Sequence, residues 1–229
     1  MNAVDPALLI ANLALFRELS EEQLAPLAAR ARSHRLVRGD VLFHRGDPAL
    51  EIHMVVYGRI KLSFVSPAGS EKVVDIIGPG GSFGEAVMFL ETPHVVSAQA
   101  LTDTLVLSVP KEVVFERIDN DPQFARRMLG GLSTRLHKLV ADVESYSTRS
   151  GTERLIGFLL HDCGGEPHDG TGTLELELPV AKGVIASRLN LTQEHLSRIL
   201  HDLAALGLIE VQGRRVRVLD LQRLRGHAG

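Results

Sequence analysis

Val180-Ala181-Lys182-Gly183-Val184-Ile185-Ala186-Ser187-Arg188-Leu189-Asn190-Leu191-Thr192-Gln193-Glu194-His195-Leu196-Ser197-Arg198-Ile199-Leu200-His201-Asp202-Leu203 carries two helical patterns broken at Asn190-Leu191. The spacing predicts a first helix over Val180–Leu189 and a second, capped by Thr192, running to about Leu206. Ala186 is small where the two helices must cross closely. Asn190 stands where the turn needs left-handed backbone, which asparagine tolerates better than most residues. Leu196 and Ile199 plug the second helix onto the first. This small, turn, apolar, apolar spacing is that of a helix-turn-helix; ordinary packing of two helices produces the same spacing.

The next segment narrows the choice. Leu208–Val211 and Arg214–Leu219 read as strands joined by a tight turn at Gln212-Gly213, with Arg214, Arg215 and Arg217 clustered at the start of the second. A helix-turn-helix followed by a basic hairpin is a winged helix, and backbone phosphates are the natural partner of those arginines. The outward face of the second helix offers Gln193, Glu194, Ser197 and Arg198, with His201 one turn on. Arginine reaches guanine O6 and N7, and glutamate accepts from cytosine N4. Glu194 and Arg198, four residues apart, also suit a surface ion pair, and both roles are compatible.

Upstream, Leu174–Leu178 alternates apolar and acidic residues like a half-exposed strand. Gly164–Gly172 is a polar loop, Glu153–Asp162 a helix, and Ser147–Thr152 a hinge. From Asp121 to Ser147 the apolar positions Leu129, Leu132, Leu136, Leu139, Val143 and Tyr146 step by three and four, the seam of a paired helix. Leu129, Leu132, Leu136, Leu139 and Val143 are therefore the expected dimer interface. The alternative is a helix packed on its own domain, but Arg126, Arg127, Arg135, Lys138, Asp142 and Glu144 flank the seam. From Leu36 to Val109 short apolar runs (Val41–His44, His53–Val56, Ile60–Val65, Val73–Ile77, Leu105–Val109) alternate with glycines, which predicts about eight strands in a β-roll. Ser20 and Gln23 form a capping box, with Leu19 and Leu24 as its staple, for a helix reaching about Ser33. The expected class is α+β: a sensor domain over 1–120, a dimerisation helix over 121–147 and a DNA-binding domain over 148–229.

Bulk properties agree. The 229 residues carry a net charge of −3, yet from Val180 onward eight Lys and Arg face four acids, an excess of +4. The single cysteine, Cys163, has no intramolecular disulfide partner and cannot alone hold an iron–sulfur cluster. No apolar run approaches the ~18 residues of a membrane span, and the N-terminus lacks a secretory pattern, so a cytoplasmic protein without a membrane partner is expected. No P-loop, nucleophile elbow, HExxH or zinc-spaced set is present, which argues against an enzyme.

Ser82-Phe83-Gly84-Glu85, the helix Leu132–Tyr146 and Leu191-Thr192-Gln193-Glu194-His195-Leu196-Ser197-Arg198-Ile199-Leu200 together resemble the cyclic-AMP receptor protein/fumarate-nitrate reduction regulator (CRP/FNR) family over nearly the whole chain. The resemblance implies a homodimeric transcription regulator that binds double-stranded DNA through Thr192, Gln193, Glu194, Ser197 and Arg198, with Arg214 and Arg215 from the wing, and that has RNA polymerase as a second partner. Glu-x-x-Ser-Arg is similar to the fumarate-nitrate reduction type, implying a palindrome of TTGAT-like half-sites; Gln193 stands where the cyclic-AMP branch has arginine. The effector pocket implied is Gly84, Glu85, Val96 and Ser97. His94-Val95-Val96-Ser97 lacks the arginine that neutralises a cyclic phosphate, so cyclic AMP is not expected. Gly84–Pro93 and Leu132–His137 look closest to the dissimilatory nitrate respiration regulator branch, which is similar to haem-dependent nitric oxide sensors. That implies haem as a cofactor, with His44, His94 and His137 as candidate ligands because they lie in the sensor domain or on the dimer helix; no spacing among the ten histidines marks a haem site, and each also suits a surface or structural role.

Overall fold

The computed structural model describes residues 6–11, 16, 19–66, 69–161 and 173–227; within these, the side chains of 6–8, 135, 138–148 and 161 lie outside the description. The chain divides into two compact units, Met1–Lys138 and Leu139–Gly229, with the division falling inside one long helix.

The first unit opens with α1 (Pro6–Ala11) and α2 (Glu21–Arg30). Ser20 caps α2 through a capping box with Gln23, as its sequence requires. Leu19 and Leu24 are both buried. The helix stops at Arg30 rather than Ser33, because Arg32–Leu36 is already β1. There follow β2 (Val41–Phe43), β3 (Glu51–Tyr57), β4 (Ile60–Val65), β5 (Glu71–Ile77), β6 (Ser82–Phe83), α3 (Glu85–Phe89), β7 (Ser97–Ala100) and β8 (Thr104–Pro110). They form two antiparallel four-stranded sheets, in the orders β1-β8-β3-β6 and β2-β7-β4-β5.

Period-2 alternation distributes the core. On β3 and β8, Val55 and Val106 join Phe43, Ile60, Leu62, Ile77, Phe83, Ala98 and Ala100 between the sheets. The intervening Ile52, Met54, Leu107 and Val109 turn the other way, onto a second cluster with Leu24, Leu27, Val114, Phe124 and Met128 from the helices. Both faces of these strands are covered, which is why they read as continuous apolar runs. β1 is an edge strand of sequence Arg-Ser-His-Arg-Leu, exposed along much of its length.

α4 (Lys111–Asn120) leads into α5 (Pro122–Thr148). Asp121 caps α5, accepting from the Gln123 and Phe124 backbone N–H groups. Its other carboxylate oxygen accepts from Gln23 at 2.7 Å and Arg117 at 3.1 Å, which ties α2, α4 and α5 together. The expected hinge is shorter than its sequence suggested: α5 runs to Thr148, and α6 (Gly151–His161) is already capped by Ser150, whose hydroxyl accepts from Glu153 N–H.

In the second unit α6 is followed by β9 (Leu174–Glu177), α7 (Lys182–Arg188), α8 (Gln193–Ala205), β10 (Ile209–Gln212), β11 (Arg215–Val218) and α9 (Leu221–Gly226). The strands make one antiparallel sheet in the order β10-β11-β9. The loop expected at Gly164–Gly172 and Cys163 lie outside the described residues.

Candidate nucleic-acid interface

The turn between α7 and α8 has the backbone its sequence demands. Asn190 has φ +57°, the left-handed conformation. Leu191 N–H donates to the Ala186 carbonyl at 2.8 Å, closing the turn. Thr192 then caps α8, its hydroxyl accepting from His195 N–H at 3.2 Å. From the other side Arg154 of α6 donates to the Leu189 carbonyl at 2.6 Å. Sequence reasoning did not single out Arg154: it sits in an ordinary amphipathic helix, and its partner is a backbone atom.

α8 divides cleanly between two faces. Leu196, Ile199, Leu200 and Leu203 are buried, and so are Ile185, Ala186 and Leu189 of α7. Thr192, Gln193, Glu194, Ser197, Arg198 and His201 are all exposed. Among the described residues no ion pair joins Glu194 to Arg198.

The wing differs from expectation in two respects. Gln212 pairs with Arg215, so the two-residue turn is Gly213-Arg214 and not Gln212-Gly213. Glycine then holds the first turn position, at φ +62°, the place a type II′ hairpin turn gives it. Arg214 donates through two guanidinium N–H groups to the Leu178 carbonyl, at 2.9 and 2.7 Å, fastening the turn to the end of β9. The second difference is charge. Arg215 and Arg217 project from the exposed face of β11, where Glu177 and Glu175 of β9 lie opposite them, and Glu210 of β10 approaches Arg217 to 3.9 Å. The basic excess from Val180 onward leaves out Glu175 and Glu177; eight basic against six acidic residues from Leu174 onward is only +2.

In the β-roll Gly84, at φ +89°, precedes α3, and Glu85 behind it is buried. Val96 packs on the apolar cluster between the sheets. The Ser97 hydroxyl accepts from Arg45 N–H at 2.9 Å. A ring cluster occupies the space beside Gly84: His94 stacks on Phe43 at 3.6 Å, and His53 lies 5.3 Å from Phe43 and 5.2 Å from Phe83. His53 Nδ1 shares a 2.7 Å hydrogen bond with Ser108. Burial, helped by His94 and His34, lowers the His53 pKa to about 3, and burial also lowers that of His94 against an opposing pull from Asp47. Both imidazoles are therefore neutral near pH 7. His53 escaped the sequence reading because a polar residue in an apolar strand gives no periodic signal. The buried Lys61 is already paired with Glu71 at 2.6 Å.

These residues do not fit a haem bound through His94. Its ring is buried and its face is taken by Phe43, so a porphyrin would have to displace the cluster. His44 and His137 are exposed. Among the described residues no group of three or more His, Cys, Asp or Glu could hold a metal ion, and no helix is long and apolar enough to cross a membrane.

On α5, Leu129 and Leu136 are 62% and 63% exposed, while Leu132 packs partly on the core of the first unit. The side chains of Leu139, Val143 and Tyr146 lie outside the described residues.

Residues 33–121 match the cyclic nucleotide-binding domain, and 153–226 the Crp-like helix-turn-helix domain. The global nitrogen regulator of Synechococcus elongatus is 30% identical over 91% of this chain and 92% of its own length. Among solved structures, a putative cyclic nucleotide binding protein from Ruegeria pomeroyi is 34% identical with a TM-score of 0.70, covering 98% of this chain and 97% of that one. DNR from Pseudomonas aeruginosa is 30% identical with a TM-score of 0.55, covering 99% of each. Curated relatives carry the names of nitrogen, anaerobic and cAMP-activated regulators alike, so they do not single out the branch suggested by Gly84–Pro93 and Leu132–His137. With both domains matched in order and nine-tenths of the chain aligned to a relative, this protein belongs to the CRP/FNR family of DNA-binding transcription regulators, built on an effector-binding domain and not on an active site.

Proposed function

We propose that the protein binds, as a homodimer, a palindrome of TTGAT-like half-sites, and that a small ligand taken up by the β-roll shifts it between DNA-competent and incompetent populations. The observation that carries this is the outward face of α8, where Gln193, Glu194, Ser197 and Arg198 are exposed together above a buried Leu196, Ile199 and Leu203. Arg198 suits a guanine, Glu194 a cytosine N4, and Ser197 the neighbouring pair. The exposed Leu129 and Leu136 support a dimer, since two leucines left in water on one helix face gain most from a second copy of α5. Pairing two copies sets two recognition helices about one DNA turn (~34 Å) apart.

The effector that suits the roll carries no phosphate. Phe43, Phe83 and Val96 line it with two neutral imidazoles, and none of these side chains supplies the positive charge that a phosphate needs. RNA polymerase is the second partner that family membership suggests. The test is a ligand-by-operator gel shift on a duplex carrying TTGAT and its inverted repeat. The expected result is specific retardation that one neutral ligand modulates and cyclic AMP does not. Retardation equal on a scrambled duplex contradicts the proposal. A haem-reconstituted arm without a Soret band that responds to nitric oxide removes haem sensing altogether.

A further inference from the structure

Gly183 and Gln193 meet across the helix-turn-helix. Gly183 is the second residue of α7 and Gln193 the first of α8. A Cβ built at position 183 would stand 2.9 Å from Gln193 Oε1 and 3.8 Å from its Cδ. Backbone conformation does not call for glycine there. Gly183 is not among the residues with positive φ, and within a helix glycine is the poorest choice after proline. What its missing side chain provides is room for the Gln193 amide.

That amide has no hydrogen-bond partner among the described residues. It presents one acceptor and two donors, the set that pairs bidentately with adenine N6 and N7 in the major groove. It also sits at the N-terminal end of α8, the part of a recognition helix that reaches base edges. We infer that Gly183 is a positioning residue for DNA reading: the bare α7 backbone lets Gln193 lie against it and aims the amide at an adenine. This rests on α8 being the DNA-reading helix.

A substitution at Gly183 need not damage the fold. The obstructing atom is the far end of a flexible side chain, and alanine is the better helix former, so Gly183→Ala turns the Gln193 amide and leaves the scaffold intact. A four-protein cycle tests this with the full chain at fixed salt: wild type, Gly183→Ala, Gln193→Ala and the double variant, titrated by fluorescence anisotropy. The duplexes are the inverted-repeat duplex and a set in which each base pair of both half-sites is replaced in turn.

Wild type is expected to lose roughly tenfold in affinity when one particular A·T pair is replaced. Gln193→Ala should lose that preference, Gly183→Ala should lose or alter it with no fall in Tm, and the double variant should match Gln193→Ala. The inference is overturned if Gly183→Ala keeps the wild-type preference, if it acts equally in the Gln193→Ala background, or if its losses spread evenly over all base pairs. A wild type indifferent to every base pair would instead overturn the DNA-reading assignment. A measurement without DNA separates the two failures. In the free protein, Gly183→Ala should shift the side-chain amide resonance of Gln193 while backbone amides of the buried face of α8 stay in place; an unmoved side-chain resonance refutes the positioning role by itself.

Discussion

The Arg154 guanidinium donates to the Leu189 carbonyl at 2.6 Å, joining α6 to the last residue before the left-handed Asn190. That carbonyl sits at the end of α7, where backbone acceptors have no helical donor to receive them. A charged donor to a partly buried carbonyl is worth more than a neutral one. Arg154→Ala is therefore expected to cost about 1–3 kcal/mol in urea unfolding. A loss below a few tenths would show that water replaces the guanidinium at no cost.

Asn190 supplies the left-handed turn residue at φ +57°. Asn190→Gly should be tolerated better than a β-branched replacement, because glycine adopts that conformation freely. Asn190→Val should destabilise by about 1–2 kcal/mol, since a β-branched side chain clashes there. Thermal unfolding of the pair distinguishes backbone strain from loss of a side-chain contact: equal damage by both variants would point to the latter.

His53 makes stability depend on pH. Burial first, then His94 and His34, hold its pKa at about 3, down from an ordinary 6.5. Between those values the unfolded chain binds a proton that the native state refuses. Stability is thus full above the unfolded value and falls by about 1.4 kcal/mol per pH unit as acidity rises through the window. His94, shifted in the same direction, adds to the slope. His53→Gln should be less stable at pH 7 yet have a visibly flatter profile from pH 6.5 to 4.5 in urea titrations. An unchanged slope would mean that the proton enters the native ring.

Gly130 lies in α5 with nothing within 4 Å of where a Cβ would stand, and it does not have positive φ. Its neighbourhood is further loosened by hydroxyls turned back onto the helix: Ser133 donates to the Leu129 carbonyl at 2.7 Å and Thr134 to the Gly130 carbonyl at 3.0 Å. Gly130→Ala should therefore stabilise the protein by about 0.5–1 kcal/mol. A destabilised variant, seen as a lowered Tm, would reveal that a second copy of the chain packs close against this glycine.

Much of this architecture is legible in the sequence because local physics dictates it. The Ser20–Gln23 box, the Thr192 cap and the left-handed Asn190 each follow from one side chain and its immediate backbone. The β-rich texture and the two-faced α8 follow from periodicity. What escaped depends on partners distant in sequence. β1 carries little apolar alternation, and β7 alternates only alanine with polar residues, so neither shows as a strand until β8, β2 and β4 pair with them. The wing turn lies one residue later than expected because the Gln212–Arg215 pairing sets the register. The glutamates that offset the wing arginines come from β9, well upstream of the hairpin. The Phe43, His53, Phe83 and His94 rings come from four separate segments, and no spacing rule joins them.

The most direct measurement is the ratio of affinities for the inverted-repeat duplex and a scrambled duplex of equal length, at one salt concentration, for wild type and Arg198→Ala. Phosphate contacts contribute equally to both duplexes, so the ratio isolates base reading. Wild type should prefer the inverted repeat strongly, and Arg198→Ala, with unchanged circular dichroism and Tm, should lose about 1–3 kcal/mol of that preference per half-site. A folded Arg198→Ala variant that keeps the full wild-type ratio would contradict the assignment of α8 as the helix that reads DNA.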